Sequence, residues 1–106
     1  MSETKIAQTW AGKTEFNYFG SVTEGTKLTL YGKCHVIMFA SNYESLLDHF
    51  RGCTVDLGTS FNPPGGSIGA WLKSNVTKRK MASYVGAILI AEGYAERVGT
   101  SGIKIF

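Results

Sequence analysis

At 106 residues, with 43% hydrophobic and 18% charged side chains, the chain is sized and composed for one folded domain, which excludes an intrinsically disordered protein. No apolar run approaches the ~20 residues that span a bilayer, and "MSETKIAQTW" has no basic segment leading into an apolar stretch, so no membrane partner and a cytoplasmic location are expected. The net charge of +3 is uneven: residues 1–66 hold five basic and six acidic side chains, whereas 67–106 hold six and two, which points to an anionic partner for the C-terminal part. Two cysteines, Cys34 and Cys53, are too few for a disulfide framework and read as buried thiols.

In chain order, the first dozen residues show no sustained period and read as a loose end. "TEFNYFGSVTEGTKLTLYG" then reads as a β-hairpin. Phe16, Tyr18 and Val22 share one side, "TEGT" turns, and Leu28 and Leu30 resume the alternation. "KCHVIMFA" is a continuous β-prone run, the pattern of a strand buried on both faces. In "SNYESLLDHFRG" the period becomes helical: Tyr43, Leu46, Leu47 and Phe50 form an apolar stripe, with Ser41 and Glu44 spaced as a capping box and Gly52 as terminator. "CTVDLGTS" predicts a short strand with Cys53, Val55 and Leu57 on one face. After the break at "FNPPGG", Ser67 is placed to cap a helix whose face is Ile68, Trp71, Leu72 and Val76. Thr77 is the expected cap of a last helix running to about Ala91, with Met81, Val85, Ile88 and Leu89 inward. Lys78, Arg79, Lys80 and Ser83 then fall on its outer, N-terminal part. A closing hairpin, "YAERVGTSGIKIF", places Arg97 and Lys104 across its turn.

The expected fold class is α+β in one domain, 1–106: an N-terminal antiparallel β-hairpin layer (1–40), then a helix-strand-helix-helix-hairpin unit (41–106). That element order, with "TKRKMASYVGAILIAEGYAERVGTSGIKIF" as its end, resembles the winged helix-turn-helix superfamily over residues 41–106. The resemblance implies a non-catalytic double-stranded DNA-binding protein, a small regulator, dimeric or monomeric, whose last helix enters the major groove and whose wing touches the backbone. It implies groove and phosphate contacts by Lys78, Arg79, Lys80 and Ser83, and wing contacts by Arg97 and Lys104. The chain departs from the compact form in its long "GTSFNPPGG" connection and in the apolar surplus of the last helix at Tyr84, Ala87, Ile90 and Ala91. An N-terminal hairpin packed over that surplus would bury the helix and weaken the DNA reading.

Two readings from other classes stand beside it. Trp10, Phe19, Tyr84 and Ile90 would serve a protein-interaction or inhibitor module, or a homodimer, if exposed. A pocket between the hairpin and the last helix would make a small-molecule-binding domain. "GGSIG" matches the G-x-S-x-G of a nucleophile elbow, but it follows "FNPP" rather than a strand, so Ser67 reads as a cap. Cys34, His35, His49 and Cys53 lack the paired short spacings of a zinc site. Neither a catalytic residue nor a cofactor or metal is assigned.

Overall fold

The computed structural model describes residues 4–10, 12, 14–30, 34–59, 62–77 and 81–106. The fold is α+β. Strands β1 (Thr4–Gln8), β2 (Glu15–Ser21), β3 (Gly25–Leu30) and β4 (Cys34–Met38) form an antiparallel sheet in chain order. Then come α1 (Ala40–Phe50), β5 (Thr54–Asp56), α2 (Ile68–Asn75), α3 (Ala82–Ala91), β6 (Ala95–Val98) and β7 (Gly102–Ile105). The last two strands and β5 make a second antiparallel sheet, ordered β5-β7-β6. Helix α3 lies against β1 of the first sheet and β6 of the second.

Alternation sets the first sheet's two faces. Phe16 and Tyr18 of β2 point inward while Glu15, Asn17 and Phe19 point out. Register then puts Leu28 beside Tyr18, and Met38 beside Thr26, on the buried face. These side chains join Tyr43, Leu46, Leu72, Val85, Ile88, Leu89, Ile103 and Ile105 in one core spanning both sheets. Each large apolar side chain so buried contributes about 1.5–3 kcal/mol against exposure. One polar contact is sealed inside it: the hydroxyls of Thr26 and Tyr43 share a 2.6 Å hydrogen bond. Tyr43→Phe would strand the Thr26 hydroxyl without a partner and is expected to cost about 1–2 kcal/mol. In urea melts, Thr26→Val added to Tyr43→Phe should recover part of that loss; simple additivity of the two would contradict the coupling.

Several expectations are corrected. The first dozen residues hold a strand that their lack of period did not show: residues 4–8 form β1, paired from Thr4↔Phe19 to Gln8↔Glu15. It hides its period because its inward positions are Lys5 and Ala7, while Ile6 is 69% exposed. Strand β4 is not buried on both faces: it is an edge of the sheet, with Ile37 53% and Phe39 62% exposed. Helix α1 starts at Ala40, and the Phe39 N–H donates to Asn42 Oδ1 at 2.9 Å, so Asn42 takes the place expected for the Ser41–Glu44 box. The Cys53 thiol is exposed rather than buried. Thr77 does not cap α3. Its N–H donates to the Leu72 carbonyl at 3.0 Å, closing α2, and α3 begins at Ala82 after Met81.

Ser67 does cap α2: its Oγ accepts from the Ala70 N–H at 3.1 Å and donates to the Pro64 carbonyl at 2.6 Å. Its burial and both bonds occupy it in that role.

Candidate nucleic-acid interface and the seam beside it

Lys78, Arg79 and Lys80, expected in the first turn of the last helix, lie outside the described residues. Ser83 is on α3 but only partly exposed, and its backbone carbonyl accepts the Trp10 N–H at 3.1 Å. Helix α3 is apolar all round because it is packed on two sides. One side is the core stripe of Val85, Ile88 and Leu89. On the other, Tyr84 is 5% exposed and meets Phe16 edge-on at 4.9 Å between ring centres. The missing side chain of Gly86 lets Leu57 and Trp10 close over the helix.

Trp10 and Tyr84, interface candidates only if exposed, are therefore core residues; Trp10 is 7% exposed. Phe19 is exposed, but it neighbours Lys27 and, one strand on, Ile37, not Trp10. Ile90 is partly buried at the mouth of a cavity between β1 and α3.

The β6–β7 hairpin does not set Arg97 opposite Lys104. Register pairs Arg97 with Ile103 and Lys104 with Glu96, so the two cations leave on opposite faces. Lys104 is exposed on the outer face, which it shares with Glu96, Thr54 and Asp56, and the two acids offset its charge locally. Arg97 is turned to the inner face. Its guanidinium donates to the carbonyls of Trp10 at 2.8 Å and Thr100 at 3.2 Å, and stacks 4.3 Å from the Trp10 ring centre. The Trp10 indole N–H donates to the same Thr100 carbonyl at 2.8 Å. The hairpin turn is thus fastened to the segment after β1.

A second clamp ties the end of α3 to the first sheet, and nothing in the sequence singled it out. Glu92 accepts from Lys5 Nζ at 2.9 Å, from the Tyr18 hydroxyl at 2.9 Å and from the Val22 N–H at 3.1 Å. Burial alone would raise the Glu92 carboxyl, but these three donors outweigh it and hold the group below the ordinary glutamate range. Burial, then the bond to Glu92, pushes the Tyr18 phenol well above its usual value. A lone acid after an apolar helix was the one available sign of this role.

Among the described residues, no three metal-ligating side chains converge. The Cys34 side chain is not among those described; His35 bonds Thr29 at 3.2 Å and Cys53 lies on the surface. Comparison with protein-family models, with curated proteins and with solved structures finds no match.

Proposed function

We propose that the chain is a non-catalytic double-stranded DNA-binding protein of winged-helix type that holds the phosphate backbone without inserting α3 into a groove. The observation that carries the reading is the order α1-β5-α2-α3-β6-β7 with its sheet ordered β5-β7-β6, a hairpin laid beside the last helix. Three consecutive cations, Lys78, Arg79 and Lys80, stand in the sequence between α2 and α3, where the resembling family makes phosphate contacts. Lys104 is exposed on the hairpin but shares its face with Glu96 and Asp56, so the three consecutive cations carry most of the charge argument. The covering of α3 by Trp10 and Phe16 argues for backbone contact over base readout, hence for weak sequence preference.

Fluorescence anisotropy with random-sequence duplexes at several salt concentrations tests this. The unmodified chain should bind with strongly salt-dependent affinity, because each phosphate neutralised releases counterions. Lys78→Ala/Arg79→Ala/Lys80→Ala should flatten the plot of log affinity against log salt by about 2–3 in slope. Ser83→Ala should change little. Absence of binding at low salt, or a triple variant that binds like the parent, would overturn the proposal.

A further inference from the structure

The cavity between β1 and α3 is about 500 Å³ and is lined by Ile6, Ala7, Trp10, Ala87, Ile90 and Arg97, among others. That volume lies in the range of small-molecule sites, and the lining has their usual form, an apolar wall with few polar groups. Sequence explains the wall. Ala87 and Ala91 leave room on α3 where larger side chains would close it, and β1, as an edge strand, brings no neighbour to fill the space.

Arg97 is the group that gives the cavity a chemistry. Its guanidinium is fixed by two backbone carbonyls and by the Trp10 ring, so its orientation is set. Carbonyls do not neutralise it, and among the described residues no carboxylate forms an ion pair with it. A guanidinium remains charged throughout the accessible pH range and keeps N–H groups beyond those spent on the two carbonyls. Glu15 lines the same cavity, forms no pair with Arg97, and would repel a second negative charge. A monoanion is favoured over a phosphate.

We infer that this cavity is a binding site for a small apolar monocarboxylate, its carboxylate on Arg97 and its hydrocarbon body along Ala7, Ala87 and Ile90. The site does not rest on the DNA reading. A ligand there touches β1, α3 and β6 together and would tighten the joint between the two sheets.

The probe is octanoate, titrated into the full chain and followed by the NMR resonance of the Trp10 indole N–H. The expected result is a saturable shift with octanoate that octylamine and inorganic phosphate do not produce. Arg97→Gln should weaken octanoate by about tenfold. Because Arg97 also braces Trp10, the second variant is Ala91→Glu, at an exposed position of α3 that lines the cavity, which sets a carboxylate at its wall and should also weaken binding while leaving the fold unchanged by circular dichroism. Three outcomes would overturn the inference. They are no saturable shift at millimolar octanoate, equal binding of octanol and octanoate, or binding untouched by Ala91→Glu.

Discussion

Gly69→Ala is expected to lower stability by about 3 kcal/mol, the upper part of the usual range for forcing atoms into a packed interior. Gly69 sits in the first turn of α2 and donates its N–H to the Leu57 carbonyl at 2.8 Å. A Cβ there would overlap the carbonyl oxygen of Gly58 and approach Pro63 Cβ at 3.2 Å. The obstacle is backbone, and it has little freedom to retreat. Leu57 is fully buried and its N–H is bonded to the Ser101 carbonyl at 2.8 Å, while the Gly58 N–H is held by Asp56 at 2.7 Å. Gly86→Ala is the informative contrast. Its Cβ would meet Leu57 methyls at 2.8 and 2.9 Å, which are side-chain ends able to rotate, so a smaller loss of about 1 kcal/mol is expected. Urea midpoints at constant m-value read both. A Gly69→Ala chain within about 0.5 kcal/mol of the parent would contradict the tight passage.

Glu92→Ala should cost about 2–3 kcal/mol, because it removes the acceptor of three bonds between the end of α3 and the first sheet and leaves the Val22 N–H and Tyr18 hydroxyl unpaired. The share owed to Lys5 is the smaller, since its side chain is 42% exposed and water screens it. Charge makes the effect pH-dependent. The carboxyl is held below its unfolded value, so its stabilisation is present above about pH 4.3 and is lost as pH falls through the lower, folded-state value. Glu92→Gln, neutral at every pH, should therefore close the stability gap with the parent as the solution is acidified. A gap that stays constant from neutral pH into that acid range would show that Glu92 acts by shape alone.

The elements of the C-terminal part were legible because their signals are local. A stripe at Tyr43, Leu46 and Phe50, a serine before Ile68 and a glycine-bearing turn each announce an element within a dozen residues. The helix-strand-helix-helix-hairpin order followed from these. Two cap assignments failed locally, at Ser41–Glu44 and at Thr77, and most other failures depended on partners distant in sequence. β1 exists because it pairs with β2 and packs on α3, and Ile6 and Lys5 give no hint of either. Trp10, whose side the local pattern left open, is held by Ser83 and Thr100, far away in the chain. Arg97 and Lys104 lie on opposite faces because the register pairs Lys104 with Glu96, and their spacing alone does not reveal the register. The apolar surplus of α3 was visible, but it fitted either a covering N-terminal hairpin or a dimer contact; in the structure the N-terminal layer covers the helix, with Phe16 on Tyr84.

The covering of α3 bears on the proposed mode of DNA binding, which claims backbone contact without groove insertion, and hydrogen exchange with and without random-sequence duplex reads it. Duplex should slow exchange in the peptide spanning residues 77–81. Residues 4–10 and 82–91 should stay as protected as in the free chain, because β1 and Trp10 remain seated on α3. Faster exchange in residues 4–10 on adding duplex would mean that the N-terminal sheet lifts away to release α3 into a groove, and would contradict the claim.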